Sequence, residues 1–169
     1  MAAAAQIRKN FNLFLDGFGY AGNVEEYQPP TLAVQVEDFR AGGMDTSVAL
    51  DMGQEKLEAT FKLSKITADA LRLWGVGQGQ TFSLVVRGAL EDLDGTVKAE
   101  VFTQRGTIRS IEHDAITSGA KSAVTLTMDI REYAYDIDGL RVHDIDVLNM
   151  KRIVNGVDRL AAQRAAIGL

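Results

Sequence analysis

The chain reads as a mainly β protein: an antiparallel β-sandwich or barrel with one flanking α-helix and a C-terminal helix. Three observations predict this class. Apolar residues recur at every second position through most of the 169 residues, the signature of strands with one buried face. The dipeptides Asp94-Gly95 and Asp138-Gly139 separate these runs where tight hairpins need positive φ. Only two segments follow helical spacing instead.

In chain order, MAAAAQIRKN (1–10) has small residues before its charges and no apolar h-region, so it reads as a loosely ordered arm and not as a signal peptide. Phe11, Leu13 and Leu15 then alternate up to Asp16-Gly17, and Leu57, Ala59, Phe61 and Leu63 form the cleanest strand with one buried face. Phe82, Leu84 and Val86 repeat the pattern, and Val97, Ala99 and Val101 repeat it again. A long run from Val124 through Leu126, Met128 and Ile130 continues into Tyr133, Tyr135 and Ile137. Residues 65–74 place Ile66, Ala70, Leu73 and Trp74 on one helical face, with Gly75 as the C′ stop. In the tail, Val157, Leu160, Ala161 and Ala165 share a helical face between Asn155 as cap and Gly168 as stop. Residues 39–53 fit neither period; the Gly42-Gly43 pair and a weak strand signal over 47–51 mark a long loop. No internal repeat or linker divides the chain, which reads as a single domain over 1–169.

Composition excludes several classes of function. The absence of cysteine rules out disulfides, thiolate metal sites and a cysteine nucleophile. A net charge of -5 argues against a domain that grips nucleic acid, because such domains carry basic patches. No stretch approaches the roughly 18 apolar residues of a bilayer span, which makes the cytosol the default compartment. The charge is uneven. Residues 112–146 hold eight acids and three bases, whereas 147–169 hold four bases and one acid. Acidic and basic segments of this kind can pair within a subunit or between subunits.

No catalytic pattern emerges. Gly75-Val76-Gly77-Gln78-Gly79 follows a helix instead of opening one and lacks the Lys-Ser/Thr ending of a phosphate loop. Asp136-Ile137-Asp138-Gly139 resembles the opening of a calcium loop, but Leu140 and Val147 stand where oxygen ligands belong, which favours a hairpin turn. His143 projects opposite to Asp144 and Asp146 on a strand, and a second imidazole would have to come from His113. Neither histidine sits near a nucleophile elbow. Trp74, Tyr133 and Tyr135 read as packing residues, since no interleaved Lys/Arg accompanies them. Catalytic, cofactor-binding and metal residues are therefore none.

FRAGGMDTSVALDMGQEKLEATF (39–61) and IDVLNMKRIVNGVDRLAAQRAAIGL (145–169) closely resemble the major tail tube protein of contractile-tailed bacteriophages, as do FNLFLDGFGYAG (11–22) and PPTLAV (29–34). R-type bacteriocin tube proteins look similar. The resemblance implies a structural virion protein assembled in the host cytoplasm. Its hexameric rings would share a continuous inner β-barrel and stack into a tube inside the contractile sheath, conducting DNA during ejection.

The implied partners are further copies of the chain, the tail sheath protein, a tape measure protein in the lumen, and baseplate and tail terminator proteins. DNA is a transient, non-specific passenger, and no cofactor or membrane is implied. By the same resemblance Phe39, Arg40, Gly42, Gly43, Met44, Asp45, Asp51, Met52 and Gly53 (39–53) belong to an extended inter-subunit loop. Asn155, Gly156, Val157, Asp158, Arg159, Leu160, Arg164, Ile167 and Leu169 (155–169) belong to a C-terminal helical interface. Ring closure suits a chain with long strands because it removes exposed edges, and an acidic lumen wall would repel DNA, so part of the acid excess is expected to face the channel. Two alternatives remain: the tube of an R-type bacteriocin or type VI-like injection system, and a β-barrel ligand-binding module, which predicts a closed apolar pocket with convergent polar groups.

Overall fold

The computed structural model describes residues 6–169. Its elements are β1 (Gln6–Leu15), β2 (Phe18–Gly19), β3 (Val24–Gln28), β4 (Val34–Phe39), β5 (Val48–Gln54), β6 (Glu58–Leu63), α1 (Ala68–Leu71), β7 (Phe82–Asp92), β8 (Val97–His113), β9 (Val124–Ile137), β10 (Leu140–Asp146), β11 (Lys151–Val154), β12 (Val157–Asp158) and α2 (Ala161–Ala166). The main sheet runs β12-β11-β10-β9-β8-β7-β1-β2, with β6 also paired to β9 and β3 to β6. Every ladder in it is antiparallel. Strands β4 and β5 pair only with each other.

One edge of β9 serves two partners in succession: β6 along Val124 to Asp129 and β10 along Glu132 to Ile137. Between them the β8–β9 register slips, pairing Arg105 with Glu132 but Gly106 with Ile130 and leaving Arg131 as the extra residue. A Cβ at Gly106 would lie 1.9 Å from the Asp129 carbonyl oxygen, so no side chain fits. At this bend the two longest strands turn their lower halves, with β6 and β3, over one face of the upper sheet. Leu13, Leu84 and Phe102 from above thereby join Phe61, Leu126 and Met128 from below in one core. Leu13, Phe61, Leu84, Leu126 and Met128 have no exposed surface, each contributing about 1.5–3 kcal/mol by burial.

The bulge resets the alternation of β9. Val124, Leu126, Met128 and Ile130 are buried, and after the extra residue Tyr133 takes over the inward face. Burial pushes the Tyr133 phenol up to about 12, keeping it neutral. The opposite face of β8 from that expected is the inward one. Glu100, Phe102 and Gln104 are buried, while Val97 and Ala99 are exposed. The reason is that the Glu100 carboxylate is fully paired there and the Gln104 amide nitrogen finds an acceptor, although Gln104 Oε1 is left without a partner among the described residues. The Glu100 carboxylate accepts from Arg8 Nε at 2.7 Å and Nη2 at 2.8 Å and from the Tyr135 hydroxyl at 2.8 Å. The Gln104 amide donates to the Tyr27 hydroxyl. Rings of Tyr27, Phe102, Tyr135 and His143 line up over this network.

Several expectations need correction. Residues 1–5 of the N-terminal arm lie outside the described residues, but 6–10 are strand, held to β7 from Gln6↔Asp92 onward. The helix expected over 65–74 contracts to Ala68–Leu71, opened by the Thr67 hydroxyl accepting from the Ala70 amide. Trp74 leaves the helical path because its indole Nε1 donates to the Arg109 carbonyl at 2.9 Å, and its ring stays exposed. The Asp138-Gly139 hairpin forms as expected, with Asp138 at φ 51°.

Two stability predictions follow from the bend and the network. Gly106→Ala is expected to cost about 3 kcal/mol or more, because backbone must move to admit the methyl group; chemical denaturation measures it. Arg8→Met leaves Glu100 as an unpaired buried charge and should cost about 3 kcal/mol. Glu100→Gln keeps the shape and an acceptor, and it frees an arginine whose side chain is already half exposed, so its cost should be about 1 kcal/mol. Equal costs in denaturant titrations would refute this asymmetry.

Candidate assembly surfaces

The two segments singled out in the sequence are brought together. Residues 39–53 are not a structureless loop; Phe39 ends β4, residues 48–53 lie in β5, and only 40–47 connect them. The connection is closed by the Met44 amide donating to the Ala41 carbonyl at 3.2 Å and by Arg40 Nε donating to the Met44 carbonyl at 3.2 Å. Gly43 sits at φ 91°, whereas Gly42 has ordinary backbone and open space around it. The earlier half of this ribbon, Val34–Phe39, lies in the alternation Leu32, Val34, Val36, a strand signal weakened where Glu37 and Asp38 interrupt it.

The ribbon extends away from the core. Phe39, Val48 and Leu50 share one face with Glu37, while Val36 and Ala49 share the other with Asp38 and Asp51. Val36, Phe39, Val48, Leu50 and Met52 are all exposed. An isolated two-stranded ribbon is marginal in water, and here apolar groups lie open on both faces. Such a surface needs a protein cover.

The tail is also more than a helix. Asn155, at φ 51°, forms the tight turn from β11 to β12 instead of capping a helix, and the residue preceding α2 is Leu160, which has no side-chain cap. Gly168, at φ 80°, does close the helix as expected. No residue of α2 is buried. What pins it is Asp158, whose Oδ2 accepts from Arg164 Nη2 at 2.6 Å while its Oδ1 accepts from the Leu160 amide at 3.0 Å. Arg164 Nη1 in turn donates to the Met150 carbonyl at 2.7 Å. Val157, Ile167 and Leu169 remain exposed.

A cleft of about 440 Å³ separates ribbon from tail, lined by Asp51, Met52, Met150, Arg152, Leu160 and Gln163. Asp51 faces Arg152 across it at 3.6 Å. Residues 34–54 carry four acids and one base, and 147–169 four bases and one acid, so ribbon and tail are opposite in charge. Of the proposed site residues, the cleft joins Asp51, Met52 and Gly53 to Leu160. Phe39 to Asp45 project beyond that contact.

The remaining surface divides by sheet geometry. The edge of β1 opposite β7 is unpaired from Gln6 to Asn12 among the described residues, since β2 reaches only Phe14 and Leu15 and the Tyr20 amide donates to the Leu13 carbonyl at 2.8 Å. The far edge of the sheet ends at the two-residue β12. The face of the upper sheet turned away from the core is open and carries a trough of about 350 Å³ lined by Thr103, Arg105, Glu132, Asp144, Asp146 and Lys151. His143 points the other way, towards Tyr135, and His113 lies at the distant end of β8, so the histidines and aspartates considered as metal ligands are not brought together. Among the described residues no helix is long and apolar enough to cross a membrane.

Comparison with known proteins gives the family of the chain. The family model described as phage tail tube protein FII matches residues 5–168. The chain belongs to that family. It is 28% identical over 166 residues to the tail tube protein of Escherichia phage P2, covering 95% of this chain and 96% of the relative. It is 25% identical over 141 residues to the major tail tube protein of Serratia phage KSP20, covering 82% and 81%.

The fold is shared with a chain in the sheath/tube terminator of the extracellular contractile injection system PVC in its extended state, at TM-score 0.58 and 9% identity over 76% of this chain and 94% of that one. A chain of the PVC sheath-tube complex in the extended state matches at TM-score 0.55 and 8% identity, covering 75% and 87%. A chain of the six-fold symmetrised baseplate of the anti-feeding prophage matches at TM-score 0.53 and 14% identity, covering 80% and 97%. The protein is a structural subunit of a phage tail tube, part of the virion and not an enzyme.

Arg164 is the main cause holding the Asp158 carboxyl below its usual range, helped by the Leu160 amide. A depressed folded value means that the linkage stabilises above the unfolded carboxylate range and is lost as pH falls through the folded value. Acidification, or Asp158→Asn at neutral pH, is therefore expected to release α2. Hydrogen exchange at the amides of Arg164 and Ile167 should accelerate while core strands stay protected; unchanged exchange there would contradict the pinning role.

Proposed function

We propose that the chain closes side by side into hexameric rings that stack into the hollow tail tube, with the open face of the upper sheet lining the lumen. The observation that carries this reading is where exposed apolar side chains lie. They cluster on the ribbon, at the hairpin tips (Leu93, Leu140, Val157), beside Trp74 and on the tail; among the described residues, register puts only Ile7 and Val97 of them on the open sheet face, both at its upper end. The first set needs protein cover and the open face does not.

In this arrangement the free edge of β1 meets the β11–β12 edge of the next subunit, continuing the sheet into an inner barrel without exposed edges. The acidic ribbon, residues 39–53 included, reaches a neighbour and seats against its basic tail, residues 155–169, where Arg159 is exposed. Six subunits per ring are supported by the six-fold symmetry of the assembly that contains one structural relative. The contractile sheath would surround the tube, as supported by the similarity to a chain from a sheath-tube complex. Terminator and baseplate proteins would hold its ends, and a tape measure protein and then DNA would occupy the lumen.

Electron microscopy of the purified chain at high concentration should show rings or tubes with a central channel, and a strictly monomeric species under all conditions would sink the proposal. Phe39→Asp with Val48→Asp alters two exposed positions. Folded stability should change by no more than about 0.5 kcal/mol, while tubes disappear from micrographs and sedimentation profiles. Normal tubes from this double variant would remove the ribbon from the interface.

A further inference from the structure

The open face has a charge pattern that an acidic lumen would not require. Register places Arg87, Arg105, Arg141 and Lys151 on it together with Glu91, Glu132, Asp136, Asp144, Asp146 and Asp158; Lys9, the bulge residue of β1, meets Glu91 and Arg164 of the tail meets Asp158, which makes six of each sign. The signs are interleaved. Lys9 lies 3.6 Å from Glu91, Arg141 bridges Asp136 at 2.9 Å and Asp144 at 3.7 Å, and Lys151 meets Asp144 at 2.9 Å. Arg105 pairs in register with Glu132 on the adjacent strand. Phe14, Val85, Val101 and Ile153 are half-buried among these charged chains. The acid excess lies elsewhere, notably in residues 34–54, with four acids against one base.

We infer that the lumen wall is a charge-balanced surface which retains neither a polyanion nor a polycation, and that passage relies on cancellation of charge instead of repulsion. This rests on the tube reading above and replaces the expected acidic channel. Neighbouring strands are about 4.8 Å apart, well inside the roughly 8 Å Debye length at physiological salt, so opposite charges cancel before a passenger one screening length away senses either. A polyanion meeting a wall of zero net charge releases no counterions and gains no salt-dependent affinity. A polypeptide of either sign is equally free. The wall is thus suited to carrying first an extended protein and then nucleic acid through one channel.

The test uses assembled tubes of the full chain, incubated with a fluorescent short DNA duplex or with a fluorescent oligolysine peptide and then sedimented. Wild-type tubes should retain neither probe above background at low salt. Glu132→Gln with Asp136→Asn leaves the wall basic by two charges per subunit, and it should retain the duplex with a signal that drops about ten-fold or more between roughly 50 and 200 mM salt. Arg87→Gln with Arg105→Gln should retain the oligolysine instead. The single substitutions Glu132→Gln and Arg105→Gln give the same signs more weakly and serve if a double variant does not assemble. Wild-type retention of either probe, or variants indistinguishable from wild type, overturns charge balance.

Placement is read separately. The chain has no cysteine, so Thr103→Cys supplies a single thiol in the trough. In tubes it should react with a small maleimide and be shielded from a protein-sized one, while free subunits react with both. Equal reaction with the large reagent in tubes shows that this face is not the lumen, which overturns the proposed orientation and not merely the charge argument.

Discussion

The close approach of Gly106 to the Asp129 carbonyl is the constraint on which the rest of the molecule depends. Strands β8 and β9 are too long to remain flat in a subunit of this size, and a sheet with one uncovered apolar face would not be stable. Removing a side chain at one position and inserting Arg131 opposite lets both strands bend together, so the lower half of the sheet covers the upper half. The core, the polar network at Glu100 and the freedom of the opposite face all follow from that bend.

Because the sheet covers itself on one side only, its surfaces acquire different duties. The inner face is filled by its own chain. The open face carries charges that compensate one another and needs no partner. The sheet edges, the ribbon and the tail keep apolar groups and unpaired backbone in solvent, a liability in a monomer that becomes the driving force for assembly once neighbours cover them. The ribbon illustrates this best. Its strands pair only with each other, and its opposite charge to the tail appears in one subunit as the Asp51–Arg152 approach.

The buried Arg8–Glu100–Tyr135 cluster shows how polar residues can occupy a core without weakening it. Each Glu100 oxygen has a donor, and Arg8 keeps half of its side chain in water, which limits its desolvation. The arginine comes from the first described strand and the tyrosine from β9, so the cluster ties distant parts of the chain into one register.

The sequence alone determined the antiparallel class, most strand positions, the hairpin at Asp138-Gly139 and the stop at Gly168, because these rest on local alternation and on backbone preferences of single residues. It also carried the family through residues 39–61 and 145–169. Only the tertiary structure decided which face of β8 turns inward, since Val97 and Ala99 look apolar until Arg8 and Tyr135 are seen to satisfy Glu100, and Tyr27 to accept from Gln104, on the other side. It likewise decided that residues 6–10 are strand, that Trp74 leaves its helix for β8, and that ribbon and tail face each other. Each of these is set by a partner many tens of residues away, and local periodicity holds no information about such partners.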